Sequence, residues 1–206
     1  MRRFLPALAL MFPCSLAACG AEGGNPAFRA SGEVIAFSGG DGGAANACAT
    51  CHGLRGEGDG RLAPRLAGLD AGYLHRQMDD YANGRRQHPE MRAVVRRLSG
   101  EDRARVAAYY ARLPATGEAL ADTSALYRER CASCHGLAGE GRDAANPALA
   151  GQSSAYVAAQ LEAWRSGQRR GDGMGEMLGV SRALAPEQIR LLADHVGAAL
   201  PPPRRP

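Results

Sequence analysis

The motif C-x-x-C-H-G occurs twice in this chain of 206 residues, and it constrains the fold more than any other feature. Its reactive residues are Cys48, Cys51 and His52 in the first copy and Cys131, Cys134 and His135 in the second. Two thiols at this spacing can form thioether bonds to one haem, and the histidine that follows can ligate the iron. The sequence therefore predicts two covalently bound haem groups.

Two other uses of paired cysteines fit this pattern less well. A zinc ribbon separates its C-x-x-C pairs by about 15–20 residues, whereas Cys48 and Cys131 lie 83 positions apart. A histidine follows each pair directly, which a zinc site does not require. A thioredoxin-like dithiol needs a C-x-x-C pair near a βαβ pattern, and the sequence has no such pattern. The motif favours haem over zinc and over redox thiols.

The composition is that of a globular protein with few aromatic residues, which make up 5% of the chain. The formal net charge is +4, and all 25 basic residues are arginine. Two haem groups would add four propionates, so the sequence charge is a poor guide to partners. No dense basic patch with interleaved aromatic residues is present, so nucleic-acid binding is not supported.

The start of the chain has the features of a bacterial export signal. Arg2 and Arg3 precede an apolar run over residues 4–16, which is too short to span a bilayer. We assign residues 1–18 to a signal peptide that ends at a lipobox, with Cys19 as the lipidated first residue of the mature protein. The alternative is ordinary cleavage near Ala18, which leaves Cys19 as a free thiol. We expect a periplasmic protein anchored to the membrane through Cys19.

An internal repeat defines the domain organisation. With an offset of 83 residues, the two copies share 17 identities over residues 48–86. A duplication of this length indicates two domains and not a short-period solenoid. We predict a glycine-rich tether over residues 19–45, a first domain over 46–114, a linker over 115–121, a second domain over 122–201 and a disordered tail over 202–206.

Each repeat has a helical pattern, and strand signals are absent, so the predicted fold class is all-α. Apolar residues recur at helical spacing after residues that commonly begin helices. The predicted helices begin at Asp70, Ser99, residue 123, Ser153 or Ser154, and Pro186. The first of these is expected to end near Gly84, and its counterpart in the second repeat near Gly167. The helix over residues 123–130 leads directly into the second haem motif.

An electron-carrying haem needs a second ligand on the face opposite histidine, and a thioether there raises the reduction potential. The candidates are Met78, His88, Met91, Met174 and Met177. Met78 fits core packing on a helix face. Met91 is predicted to lie in an irregular stretch between two helices. Beyond residue 169 the repeat offset shifts to 86, which aligns Met91 with Met177. We therefore predict Met91 and Met177 as iron ligands, with Met174 as the fallback.

An iron-ligating histidine also needs an acceptor for its other ring N–H, which fixes its tautomer and orientation. Pro64 and Pro147 each lie 12 residues after the histidine of their repeat. A carbonyl group at these positions can accept that hydrogen bond. The alternative is that each proline only shapes its loop.

These residues together resemble a diheme class I cytochrome c of the cytochrome c4 type. The resemblance covers about residues 48–200 and includes the C-x-x-C-H-G, P-x-L-A-G, Y-x-x-x-Q and Met-x6-Leu elements of both halves. It implies two helical domains around His/Met-ligated haem groups. It also implies single-electron transfer in the bacterial periplasm, with redox proteins such as a respiratory donor complex, a dehydrogenase or a terminal oxidase as partners. No catalytic residue is implied.

The sequence departs from this family in two places besides the lipobox. Residues 38–43 are rich in glycine where a helix normally leads into the first motif, so we expect that helix to be short or missing. The aromatic residue of the last helix is Tyr109 in the first domain but His195 in the second. Alternative functions are a cytochrome subunit of a membrane dehydrogenase or terminal oxidase complex and, with less support, a diheme peroxidase-like enzyme. A gas-sensing or haem-storage role lacks a signalling domain.

Overall fold

The computed structural model describes residues 31–121 and 124–198, so the predicted signal peptide, Cys19 and the tail lie outside the described residues. These residues form helices and no strands, which confirms the all-α fold class. Five helices lie in the first repeat: α1 (Gly32–Ser38), α2 (Ala49–His52), α3 (Ala71–Asn83), α4 (Pro89–Val95) and α5 (Gly100–Arg112). Five lie in the second: α6 (Ala125–Arg130), α7 (Ala132–His135), α8 (Ser154–Arg165), α9 (Glu176–Ala183) and α10 (Pro186–Gly197).

Side-chain caps start the helices where the sequence predicts. Asp70 accepts a hydrogen bond from the Tyr73 N–H at 2.9 Å and so caps α3. Ser153 and Ser99 cap α8 and α5, because each hydroxyl accepts a hydrogen bond from the N–H three residues on, at 3.1 Å. Each cap satisfies a backbone donor that has no partner inside its helix. The predicted starts at Asp70, Ser99 and Ser153 are confirmed.

Helix α1 lies within the segment predicted as a tether, and it packs as a helix of the first domain. Ser31 Oγ accepts from the Val34 N–H at 3.2 Å, and Gly39 ends the helix with φ of 77°. Ile35 is 1% exposed and packs with Val106 of α5 in the first core. The glycines that suggested a missing helix lie after the helix end, where their backbone freedom is useful.

The described part of the first domain thus begins at residue 31 and not at 46. Its core is formed by Ile35, Ala36, Leu69, Tyr73, Leu74, Leu98, Val106, Ala107 and Tyr110. Helices α1 and α3 both pack against α5.

The second domain repeats this arrangement, with α6 in the place of α1, because α6 packs against α10 as α1 packs against α5. Its core is formed by Leu120, Tyr127, Ala132, Val157, Leu184, Ile189, Leu192, Ala193 and Val196. Leu120 is 6% exposed, and its N–H donates to the Ala138 carbonyl at 2.9 Å. The predicted linker over residues 115–121 therefore ends inside the second domain, because an apolar side chain near its end is buried there. His195 packs its ring 5.2 Å from the ring of Tyr127.

Backbone hydrogen bonds join the two domains directly. The Gln87 N–H donates to the Gln168 carbonyl, and the Arg170 N–H donates to the Arg85 carbonyl, both at 2.8 Å. The residues between them, Arg86 and Arg169, form an isolated antiparallel bridge. The two segments that follow α3 and α8 therefore lie side by side, and the domains share one boundary.

Candidate functional site

The cysteines of each motif lie on a single helical turn. Cys48 immediately precedes α2 and Cys51 lies within it, whereas Cys131 and Cys134 have the same relation to α7. The first cysteine of each pair is half-buried and the second is exposed, and none of the four forms a disulfide. Burial raises the pKa of both Cys48 and Cys131 to about 11, so these thiols are protonated at neutral pH. Two thiols three residues apart share one helix face, as attachment to a single haem requires.

The histidine of each motif is buried and has one ring nitrogen fixed by a hydrogen bond. His52 is 7% exposed, with Nδ1 2.9 Å from the Pro64 carbonyl oxygen. His135 is 8% exposed, with Nδ1 2.8 Å from the Pro147 carbonyl oxygen. A carbonyl oxygen only accepts, so each Nδ1 carries the proton and each Nε2 presents a lone pair. Burial lowers the pKa of both rings, against the opposing effect of the proline carbonyl. Both histidines are therefore neutral, as an iron ligand must be.

The loop after each motif has the same hydrogen bonds in both domains. The Gly58 N–H donates to the His52 carbonyl at 2.8 Å, and the Gly141 N–H donates to the His135 carbonyl at the same distance. Gly141 has φ of 74°, and a Cβ there would lie 2.4 Å from the Ala148 nitrogen. Glycine is required because the loop must turn tightly to bring the proline carbonyl onto the ring. The second glycine of each repeated G-E-G sequence is thus explained by the turn that orients the histidine.

A cavity in the second domain brings the predicted ligands together. It contains about 1050 Å³ of free space, including the part open to solvent, and His135, Cys131, Pro147 and Met177 all line it. Met174 does not line this cavity, and it is 90% exposed. Of the two methionines that the sequence left as candidates here, Met177 is the one that faces the histidine site.

Both predicted methionine ligands lie in the first turn of a helix. Met91 lies in the first turn of α4 and Met177 in the first turn of α9. The expectation of an irregular stretch around Met91 is wrong, because Pro89 at the first helical position and His88 as the cap start a helix there. His88 Nδ1 accepts from the Met91 N–H at 3.3 Å. This hydrogen bond uses Nδ1 of the His88 ring, so His88 acts as the N-terminal cap of α4.

The donor set fits haem and does not fit zinc. Within residues 31–121 and 124–198, no group of three or more His, Cys, Asp or Glu side chains is close enough to hold a metal ion. The four thiols are divided between two domains, so they cannot surround one zinc ion. The cavity also contains Arg76 and Arg169, whose Nε atoms are buried and have no hydrogen-bond partner. Thiols, a neutral imidazole, a thioether and unpaired guanidinium donors together suit the vinyl groups, iron and carboxylates of haem.

Comparison with known proteins agrees with this donor set. A family model described as cytochrome c matches residues 40–113 and again residues 120–198. The chain belongs to the cytochrome c family. It is a diheme electron-transfer cytochrome of the c4 type, in which the two motifs each attach one haem group.

Two curated relatives are similar to this chain over most of their own length. The thiosulfate dehydrogenase electron acceptor of Stutzerimonas stutzeri is 39% identical over 81% of this chain and 85% of that protein. The cytochrome c4 of Pseudomonas aeruginosa is 33% identical over 79% of this chain and 90% of that protein. Both relatives therefore extend over the two cytochrome c domains and the segment that joins them.

Two solved structures have the same architecture. Reduced cytochrome c4 from Pseudomonas stutzeri superimposes with a TM-score of 0.65 and 30% identity, covering 75% of this chain and 93% of that one. The thiosulfate dehydrogenase of Marichromatium purpuratum superimposes with a TM-score of 0.69 and 36% identity. That match covers 82% of this chain but only 40% of the dehydrogenase chain, so this cytochrome c spans less than half of that protein.

Proposed function

We propose that both irons of this cytochrome are ligated by histidine and methionine, with His52 and Met91 in the first domain and His135 and Met177 in the second. Cys48, Cys51, Cys131 and Cys134 provide the thioether attachments. The observation that carries the proposal is the shared cavity of His135 and Met177, together with the matching position of Met91. Iron with two protein ligands has no open position for a substrate, which fits an electron carrier and not a peroxidase.

Each haem supplies reversible one-electron chemistry when bound. The protein orients the ligand through the bonds from His52 to Pro64 and from His135 to Pro147, which keep each Nε2 free for iron. Burial of both rings limits access of water to the ligand bond. A thioether ligand has no proton to lose, and it favours the reduced iron. These features suit electron transfer without bond making.

The surface beside each motif suits contact with a redox partner. Cys51 and Cys134 are exposed, and the leucines that follow the motifs, Leu54 and Leu137, are 70% and 60% exposed. Apolar side chains at the attachment edge allow a partner protein to approach with little desolvation cost. Each domain therefore exposes an apolar side chain next to its haem attachment site.

We further propose that the electron donor is a thiosulfate dehydrogenase. The support is similarity: a protein described as the acceptor of such an enzyme is 39% identical to this chain, whereas cytochrome c4 of Pseudomonas aeruginosa is 33% identical. The match to part of a thiosulfate dehydrogenase chain favours a second arrangement, in which this cytochrome is a subunit bound stably to the enzyme. Elution of the cytochrome with the enzyme in equal amounts would distinguish the subunit from a diffusing carrier.

The donor can be tested by mixing the oxidised holoprotein with purified thiosulfate dehydrogenase and thiosulfate. We expect both haem groups to be reduced, at least about tenfold faster than those of Pseudomonas aeruginosa cytochrome c4 at equal concentration. The measurement is stopped-flow absorbance of the reduced haem band, with thiosulfate alone as the control. An equal or slower rate than cytochrome c4 would contradict this donor and leave the electron-carrier function intact.

We also propose that the mature protein is periplasmic and attached to the membrane through a lipidated Cys19. The support is the sequence before Cys19, since this part of the chain lies outside the described residues. Within residues 31–121 and 124–198, no helix is long and apolar enough to cross a bilayer. We expect the intact mass of the mature protein to include acyl chains and two haem groups. Cys19→Ser should release it from membranes, and an unmodified mass at Cys19 would refute the anchor.

A further inference from the structure

The peptide group that joins Pro64 to Arg65 is held by a hydrogen bond at each of its polar ends. Its carbonyl oxygen lies 2.9 Å from Nδ1 of His52, as described above. Its N–H, which belongs to Arg65, donates to Oε1 of Gln152 in the second domain at 3.1 Å. A peptide group is planar, and no peptide bond among the described residues is cis, so the two hydrogen bonds extend from opposite edges of the group. Together they fix the rotation of the group that orients the histidine.

The side-chain amide of Gln152 binds the backbone of Arg65 twice. Besides accepting from the Arg65 N–H, it donates from Nε2 to the Arg65 carbonyl oxygen at 2.9 Å. Because a backbone N–H can only donate and a carbonyl oxygen can only accept, these two partners determine which end of the amide is oxygen. Arg65 and Gln152 are 2% and 4% exposed, so both hydrogen bonds are closed to bulk water. The backbone next to Pro64 is therefore held by one side chain of the other domain.

The second domain has no equivalent of this contact. The repeat offset of 83 places Ala148 at the position of Arg65 and Leu69 at the position of Gln152. Leu69 is part of the first core, and its side chain has no hydrogen-bonding group. In the described part of the chain, no acceptor lies in hydrogen-bonding position to the Ala148 N–H. The histidine of the second domain thus relies on a carbonyl whose peptide group has no partner at its other end.

Hydrogen bonds that share one peptide group strengthen each other, because each bond polarises the group for the next. The donation to Gln152 therefore makes the Pro64 oxygen a stronger acceptor for the Nδ1 proton of His52. A stronger acceptor at Nδ1 raises the basicity of the imidazole as a metal ligand. A more basic ligand favours the oxidised iron, which carries the greater positive charge. The position of Gln152 thus suits a lower reduction potential of the first haem.

We propose that Gln152 is a positioning residue for the iron ligand of the other domain: it orients and polarises the peptide group that holds His52, and so lowers the reduction potential of the first haem. The inference rests on the proposed ligation of iron by His52. Gln152 also lines the cavity of His135 and Met177, so a single side chain lines the site of one haem and orients the ligand of the other. No such link runs in the opposite direction, since the first repeat has leucine at this position.

The test is Gln152→Leu in the full two-haem protein, which gives the second repeat the residue of the first. NMR on the reduced, 15N-histidine-labelled protein measures exchange of each histidine Nδ1 proton with water. We expect exchange at His52 to become about tenfold faster, because its acceptor is no longer held, and exchange at His135 to stay within about twofold. We expect a redox titration to shift the first haem about threefold towards the reduced state, or about 28 mV for one electron.

Gln168→Leu is the matched control, because it removes the same amide from an exposed position of the second domain. It is expected to leave both exchange rates and both potentials within about twofold. In Gln152→Leu the loop stays docked through the hydrogen bond from the Ser153 hydroxyl to the Arg61 carbonyl. If Gln152→Leu does not accumulate, Gln152→Asn keeps the amide but shortens its reach by one methylene, and it is expected to show the same changes.

Haem-methyl signals in the NMR spectrum assign each potential to its domain, and four results would overturn the proposal. The first is an unchanged exchange rate at His52 or an unchanged first potential. The second is equal acceleration at both histidines, which would indicate a less stable protein instead of a lost positioning contact. The third is a shift of the first haem towards the oxidised state, and the fourth is a larger shift at the second haem than at the first.

The same spectra keep this proposal separate from the proposed ligation. In the reduced unmodified protein, the haem ring current displaces the ring protons of an iron-bound histidine far upfield. Absence of that displacement for His52 would refute the ligation itself, whichever result Gln152→Leu gives. Its presence, with any of the four results above, would refute only the role of Gln152.

Discussion

Met177→Ala is expected to open one iron of the reduced protein to carbon monoxide, whereas Met174→Ala is expected to leave both irons closed. Met177 lines the same cavity as His135, and Met174 is 90% exposed. Loss of the thioether also lowers the potential of the second haem, by on the order of 0.1 V within the ~0.8 V range that axial ligands control. Carbon monoxide difference spectra and a redox titration measure the two effects.

The matched pair of methionines makes this test specific. Both variants remove the same side chain from the same segment, and the first domain serves as an internal reference with its own ligand, Met91. One carbon monoxide per chain for Met177→Ala supports the assignment. Binding by Met174→Ala, with none by Met177→Ala, would reverse the two roles and place the ligand in the exposed turn.

Ile35→Ala is expected to destabilise the first domain by about 2–5 kcal/mol. Ile35 is 1% exposed and lies in the core with Val106 and Tyr110, so its truncation leaves a cavity between α1 and α5. Phe37→Ala on the same helix removes a side chain that is 42% exposed, and it should cost about 1 kcal/mol or less. Guanidinium denaturation of the two-haem protein measures both.

The difference between these variants shows whether residues 32–38 are part of the domain. If Ile35→Ala and Phe37→Ala have the same free energy of unfolding within about 0.5 kcal/mol, α1 does not contribute to the core. In that case the segment is the tether that its glycine content suggested. A difference of several kcal/mol instead makes α1 the first structural element of the domain.

The features that the sequence predicted best are those that depend on residues close together in the chain. The spacing of Cys48, Cys51 and His52 follows from the dimensions of one helical turn, and helix starts follow from capping side chains such as Asp70. Pro64 lies 12 residues from His52, yet the repeat showed that this distance is kept in both halves. Each of these features can be recognised without knowledge of which helices touch.

Features that depend on distant contacts were missed. Residues 32–38 form a helix because Ile35 packs against α5, about 70 positions later in the chain. The glycine content of the segment alone predicted a short or missing helix. Leu120 is buried by the second core, although it lies in a stretch that looks like a linker. The contacts of Arg86 and Arg169 across the domain boundary were not recognised either, although the pair forms one cluster there. Its signal was present, since Arg86 recurs as Arg169 together with the Y-x-x-x-Q pattern that its guanidinium binds.

The reciprocal bonds of Arg86 and Arg169 also bear on the history of the chain. Arg86 contacts Tyr156 and Gln160 of the second half, while Arg169 contacts Tyr73 and Gln77 of the first. Such exchange of identical contacts defines the isologous interface of a two-fold symmetric homodimer. The domain boundary therefore has the pattern of a dimer whose subunits became one polypeptide. Asp80, which aligns with Ala163, is one position at which the two halves differ.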